Sequence, residues 1–357
     1  MKFSSIQCFR GLAANAVLIS HLLLIEPKYG QGIALLPDWT RVLGPTGVDF
    51  FFVISGFVIA YIAADSPPLR FALSRVIRIF PAYWFYTSIV LAAFLIAPGV
   101  VNTSYAHPPS ILKSYLLWPQ DVGPLLAVGW TLIHEMYFYL VFAALLGLRV
   151  PILPALLVWA LVIAAASGLG YPASPALGIA FNPLTCLFIA GALVGLAIRA
   201  GFARFASGSL LIGVALVPAG LIAAASSGLS QNDLQMTGTG IVMIGAPFVP
   251  LIYGAAALEL TQKLPWPSLL QRIGDASYST YLCHVLVVSA LGHAFARLPW
   301  HDVATQIVFL AGCLVAANVA GLVSYRLIER PALGLLRRQP KPSPGDPPAM
   351  PAPHERL

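Results

Sequence analysis

Ten long apolar runs occupy most of the chain, at roughly 6–26, 46–64, 77–97, 125–147, 151–169, 176–198, 207–226, 238–258, 276–296 and 303–326. About 20 mostly apolar residues suffice for a helix to cross the hydrocarbon core of a bilayer. Backbone amides have no water to bond in that core, so each run is expected to close its hydrogen bonds internally, as a helix. The strands of a membrane barrel would alternate polar and apolar residues, and these runs do not. The reading is an all-α, polytopic integral membrane protein with about ten transmembrane helices. Composition agrees. Apolar residues make up 59% of the 357 and charged residues only 9%, against roughly 45–50% and about 25% in soluble domains. That excludes a soluble enzyme, a disordered protein and a nucleic-acid-binding domain, despite the net charge of +7.

The basic residues orient the chain, because cytoplasmic loops carry an excess of Lys and Arg. With the N-terminus inside, 16 of the 20 basic residues fall on the cytoplasmic side and only Lys28, Arg41, Lys113 and Arg297 outside. An even number of spans puts the C-terminus inside too. The first run carries Arg10 and lacks a small-residue cleavage site, so it reads as a retained helix, not a signal peptide. Cys8, Cys186, Cys283 and Cys313 lie far apart in apolar runs, with no metal-ligand spacing. Two longer outer segments stand out, 27–45 and 98–124; the second reads equally as a plain loop or as a re-entrant piece. Residues 1–331 form the membrane domain. The stretch 332–357 reads as a cytoplasmic, Pro-rich disordered tail, with Arg337, Arg338 and Lys341 placed to rest on anionic lipid headgroups.

Ionisable groups inside spans are costly and mark functional sites. Arg10 and His21 lie 11 residues apart, three helical turns, so they share a face with a rise of about 16 Å between them. Singly, Arg10 reads as a snorkelling side chain and His21 as a packing hydrogen bond. Together they read as a path with a charge-binding mouth and a reactive depth, since neutral imidazole is a suitable base near pH 7. Arg75 and Arg78 share a helix face at i, i+3. Guanidinium matches phosphate oxygens with paired donors, although positive-inside topology also accounts for arginines there. Glu135 lies well inside the fourth run and needs a partner; His21 and an arginine are candidates. Asp49 opens the second run, where Ser55 and Gly56 read as packing residues. Tyr281 and His284 stand at i, i+3 in the ninth run. Arg326 and Glu329 pair on paper at i, i+3, with Pro331 ending the last helix.

These pieces, in order, resemble the membrane-bound acyltransferase-3 family of bacteria, whose members O-acylate sugars and some small molecules. They are Arg10-x10-His21, the Gly47–Phe57 run GVDFFFVISGF, Arg75-x-x-Arg78, the Gly129–Tyr139 run GWTLIHEMYFY, the Ser277–His284 run SYSTYLCH and the Tyr325–Pro331 run YRLIERP. The form of the fourth piece resembles the exopolysaccharide O-acetyltransferase branch. The resemblance implies acetyl-CoA as acyl donor from the cytoplasm, no metal, a carbohydrate or lipid-linked glycan acceptor, and residence among the lipids of the bacterial cytoplasmic membrane. It carries family roles onto Arg10, His21, Arg75, Arg78, Trp130 and Glu135. The chain departs from many relatives at Thr131, where they have Ser, and at Cys283, where they have an aromatic.

The expected roles are His21 as general base with Glu135 beside it, and Arg75, Arg78 and Arg10 on the donor phosphates. Trp130, Asp49, Tyr281 and His284 are the acceptor-side candidates. The rival from another class is a transporter or flippase for a sugar-linked or charged solute, in which the same intramembrane Arg, His and Glu line a path.

Overall fold

The computed structural model describes residues 3–30, 33–97, 105–167, 174–261, 265–299 and 302–337. Its helices are α1 (Ser4–Tyr29), α2 (Leu43–Ala63), α3 (Pro68–Ile96), α4 (Ile111–Leu116), α5 (Trp130–Gly147), α6 (Ile152–Ser167), α7 (Pro175–Ala180), α8 (Leu184–Arg199), α9 (Ala206–Ser226), α10 (Gln231–Met236), α11 (Gly238–Gly240), α12 (Phe248–Thr261), α13 (Ser268–Asp275), α14 (Ser277–Phe295), α15 (Val303–Ser324) and α16 (Arg330–Arg337). Among the described residues there is no strand, and the protein is an all-α polytopic membrane protein.

Each of the ten apolar runs holds a helix, but among the described residues eight helices are both long and apolar enough to cross a membrane. Of the other two, α6 has 16 residues, about 24 Å of rise. The other, α14, has 19 residues and about 28 Å of rise, but opens on Ser277, Tyr278, Ser279, Thr280 and Tyr281. Helix α1 meets α14 at Arg10–Ser277, His21–His284 and Tyr29–His293 in turn. These contacts advance along both helices together, so α1 and α14 run parallel. Seven crossings between the two would give this relative direction.

Helix α2 is central: 72% of its apolar window is buried, against 17% for α9 at the periphery. Lipid is as apolar as a leucine side chain, so helices associate through close packing and not through expulsion of water. Helices α2 and α8 achieve this with small residues. A Cβ on Gly56 would overlap the Phe188 carbonyl, one on Gly191 the Val53 carbonyl, and one on Gly195 the Phe57 carbonyl. Gly191 and Gly195 form the small-x-x-x-small spacing that brings helix backbones together.

Polar groups in the spans find partners on other helices. Glu259 of α12 caps α1, accepting from Ser4 N at 2.6 Å, Ser5 N at 3.0 Å and Ser5 Oγ at 2.5 Å. It thereby satisfies two of the amides that a helix start leaves open. Asn15 and Asn318 exchange amide hydrogen bonds between α1 and α15 at 3.3 and 2.8 Å. Buried Glu26 holds the amides of Leu35 and Leu36 at 2.7 and 3.1 Å and pins the segment after α1. At the exposed start of α15, hydrogen bonds from Thr305 hold the Asp302 carboxyl below its ordinary range.

Three boundaries differ from the sequence reading. Residues 27–29 extend α1 and residues 43–45 open α2, so the first outer segment is shorter than 27–45. Residues 98–104 of the second lie outside the described residues. The rest folds against α3: Tyr83 OH donates to Ser114 O at 2.6 Å, and Trp84 Nε1 donates to Tyr115 O at 2.9 Å. The last helix does not end at Pro331. A π-helical turn over Tyr325–Glu329 leads directly into α16, so the helix continues through Pro331. Residues 332–337 are therefore helical, not tail. The proline-rich stretch with Arg338 and Lys341 lies outside the described residues.

The α2–α8 contact generates a test. Gly191→Ala forces two backbones apart, and overpacking of this kind costs about 1–3 kcal/mol. Its unfolding midpoint in detergent is expected to fall by several degrees. Gly208→Ala, where nothing stands within 4 Å of a new Cβ, is expected to unfold like the parent.

Candidate active site

Helices α1, α2, α3, α5 and α14 surround an open cavity, with about 770 Å³ of empty space when the adjoining open solvent is included. One wall is apolar, from Val48, Phe51, Phe52, Ile54, Val58 and Ile59. The other is charged. Arg10 reaches in from α1, and Arg75 and Arg78 from one face of α3, as their i, i+3 spacing requires. Glu135 faces them from α5.

The three guanidiniums are held differently. Arg10 donates Nε–H to Ser277 Oγ at 3.2 Å. Arg78 forms an ion pair with Glu329, Nη1 to Oε1 at 3.3 Å, and lies over the Tyr278 ring. Buried Glu329 also accepts from Ser279 Oγ at 2.8 Å. Arg75 lies over the rings of Phe71 and Tyr139 at 5.6 and 5.8 Å and bonds Ser74 Oγ. It has no carboxylate within ion-pairing distance among the described residues. Glu135 accepts hydrogen bonds from Tyr139 OH, one helical turn along, and from Ser55 Oγ at 3.3 Å. The three guanidiniums of the chamber are thus balanced by Glu135 on the lining and by Glu329 behind Arg78, and neither Arg75 nor Arg10 has a carboxylate within ion-pairing distance among the described residues.

The cavity reaches Thr131 and Tyr281. Tyr281 OH bonds both Thr131 Oγ1 at 2.9 Å and Val128 O at 3.1 Å. The Tyr281 ring stands 5.8 Å from the ring of His284, and His284 meets His21 edge to face, centroids 4.8 Å apart. His284 is buried and His21 half-buried. Their nitrogens form a chain: His284 Nδ1 lies 2.7 Å from Tyr281 O, His284 Nε2 lies 3.4 Å from His21 Nδ1, and His21 Nδ1 lies 2.9 Å from Val17 O. Among the described residues nothing bonds His21 Nε2.

Arg10, Arg75, Arg78 and Glu135 therefore meet in one chamber, with Tyr281 on its lining and His284 against the Tyr281 ring. Other expectations need correction. Glu135 does not sit beside His21: its carboxylate is taken by Tyr139 and Ser55, and the group at His21 is His284. Arg326 does not pair with Glu329, because the π turn carries Glu329 to Arg78 on α3. Asp49 does not face the chamber. It is fully buried on the other side of α2, its carboxyl against Gly245, with no hydrogen-bond partner among the described residues. Trp130 is half-buried and packs on His134, 5.8 Å between rings, outside the chamber lining. Ser55, read from sequence as a packing residue, carries a hydrogen bond to Glu135.

Sequence reasoning missed Tyr139, Tyr278, Ser277, Ser279 and the role of Glu329. Tyr139 had a signal, standing one turn from an intramembrane carboxylate. Among the described residues no group of three or more His, Cys, Asp or Glu is placed to hold a metal ion.

Comparison with known proteins adds a family. No solved structure matches the chain. Exopolysaccharide production protein ExoZ of Rhizobium meliloti (strain 1021) is 33% identical, over 83% of this chain and 90% of that protein. Acyltransferase MdmB of Streptomyces mycarofaciens is 29% identical, over 99% of this chain and 97% of that protein. Nodulation protein 10 of Rhizobium leguminosarum bv. viciae is 26% identical over 91% and 92%. The sequence model of the acyltransferase-3 family, described as an acyltransferase domain, matches residues 3–324. With that span covering nearly all of the helical bundle, the chain belongs to the acyltransferase-3 family.

Proposed function

We propose that this acyltransferase moves an acetyl group from cytoplasmic acetyl-CoA to a hydroxyl of an exported carbohydrate, such as an exopolysaccharide or a lipid-linked glycan. The observation that carries this reading is the cavity itself. Three arginines stand at one region of an apolar-walled chamber, and Tyr281, backed by the His21–His284 pair, closes another. A donor with phosphates at one end and a thioester at the end of a long, thin arm suits that polarity. The acceptor class rests on the name of the exopolysaccharide production protein. The positive-inside count supports a cytoplasmic face for the arginine end and for both termini.

The residues divide the work as follows. Arg75 can meet a phosphate without first leaving a carboxylate, since none pairs with it. Arg10 and Arg78 complete the clamp, with Glu329 holding Arg78 until donor arrives. The arm lies along the phenylalanine wall of α2, and Arg10 and His21 stand about 16 Å apart along α1. His21 Nε2 takes the proton of the acceptor hydroxyl as its oxygen attacks the thioester carbonyl. The carbon–sulfur bond then breaks, and the departing thiolate takes that proton back from the imidazolium. One ester and one free thiol result. Tyr281 and Thr131 border the place where the carbonyl oxygen gains charge. Glu135 holds Tyr139 under Arg75 and serves as counter-charge to the arginines.

Membranes carrying His21→Ala, supplied with labelled acetyl-CoA and acceptor, are expected to lose transfer by about 10²-fold or more, the usual worth of a general base. Transfer at the parental rate overturns the assignment. Arg75→Ala is expected to raise the apparent donor KM about tenfold or more, since a charge-assisted hydrogen bond contributes about 1.5–3 kcal/mol. Parental donor affinity refutes the clamp. Free thiol released in step with acceptor modification separates the enzyme from the transporter reading; solute uptake without thiol release supports the transporter.

A further inference from the structure

We propose that His284 is a positioning residue for His21: it holds the Nδ1–H tautomer, keeps Nε2 free to accept a proton, and shares the charge that follows. The inference rests on the reading of His21 as the base, and it arises from the direction of three hydrogen bonds.

A backbone carbonyl only accepts. His284 Nδ1 lies 2.7 Å from Tyr281 O and 3.3 Å from Thr280 O, so that nitrogen carries the hydrogen. In the neutral ring the other nitrogen, Nε2, then holds a lone pair. That lone pair faces His21 Nδ1 at 3.4 Å. His21 Nδ1 in turn lies 2.9 Å from Val17 O, so it too carries hydrogen, which is shared between the Val17 carbonyl and the His284 lone pair. The Val17 carbonyl already accepts the helical amide of residue 21, which weakens its hold on the ring. The second acceptor is His284. With both hydrogens on Nδ1, the free lone pair of the chain is His21 Nε2.

Burial gives this weight. His284 is 1% exposed and comes from α14, while His21 comes from α1, so the pair is a tertiary contact between parallel helices and not a local one. When His21 gains a proton at Nε2, its positive charge spreads to Nδ1–H, which points at the His284 lone pair. Nothing is transferred to His284, since its own hydrogen is committed to Tyr281 O. The carbonyl of Tyr281, the residue that closes the chamber, thus anchors the far end of the chain that orients the base.

The test separates an acceptor from a packing side chain. Gln at position 284 can offer its amide oxygen near the place of Nε2; Leu fills the space without an acceptor. His284→Leu is expected to lower kcat about 10- to 100-fold with donor KM unchanged, and His284→Gln to recover at least tenfold of that loss. ¹⁵N spectra of histidine-labelled protein, with the His21 signals identified from His21→Gln, are expected to show the Nδ1–H tautomer in the parent and in His284→Gln. In His284→Leu the Nε2–H form is expected to appear. An unchanged His21 tautomer in His284→Leu overturns the proposal, as does equal loss of kcat in both variants. The spectra need no turnover, so they report on His284 even if His21→Ala retains transfer and the base assignment itself fails.

Discussion

Charge within a low-dielectric bundle is the constraint on which the rest of the structure depends. An isolated guanidinium or carboxylate in such a place is expensive, and removal of one partner of a buried pair is strongly destabilising. The chain brings Arg10, Arg75, Arg78 and Glu135 to one chamber, with Glu329 buried behind Arg78. Much of the architecture follows. The π turn before α16 turns Glu329 inward, the serines and tyrosines at the start of α14 supply hydroxyls, and aromatic faces of Phe71, Tyr139 and Tyr278 flank the arginines. The polarity that disqualifies α14 as an obvious membrane span is the polarity the chamber needs.

The arrangement also divides the site in two. Arginines and carboxylates occupy the chamber, while the histidine pair lies behind Tyr281, outside its lining. The hydroxyl of Tyr281 is tied to Thr131 on one side and its carbonyl to His284 on the other. A single residue therefore couples the shape of the chamber to the orientation of the imidazoles. The tight α2–α8 crossing presents the phenylalanine wall on a rigid backbone, which suits a thin, flexible arm better than a mobile helix would.

Local features of this design are readable in the sequence, and distant ones are not. Apolar runs mark every long helix because hydrocarbon demands them. Arg75 and Arg78 share a face because helical periodicity requires it, and the roughly 100° between His134 and Glu135 sends one to Phe52 and Trp130 and the other to the chamber. Partner identity is a different matter. Glu329 reads as the neighbour of Arg326, since i, i+3 geometry is all that a sequence displays; its partner lies on α3. Glu135 reads as a companion of His21 because both need one, yet a tyrosine and a serine take that place. Asp49 looks chemical because it is charged, but which side of α2 faces the chamber depends on how α8 and the π turn at Ile241–Gly245 pack against it.

The histidine pair joins residues 263 positions apart, one from α1 and one from α14, far later in synthesis. Biogenesis therefore imposes an order on the chemistry. While the chain is still emerging from the insertion machinery, α1 waits with His21 unsupported, Arg10 without Ser277, and its first amides without Glu259. A partly inserted chain has neither the complete chamber nor the His21–His284 contact. On the function proposed above, reactivity toward a thioester would arise only when α14 docks beside α1, and the finished topology would itself guard against wasteful turnover during synthesis.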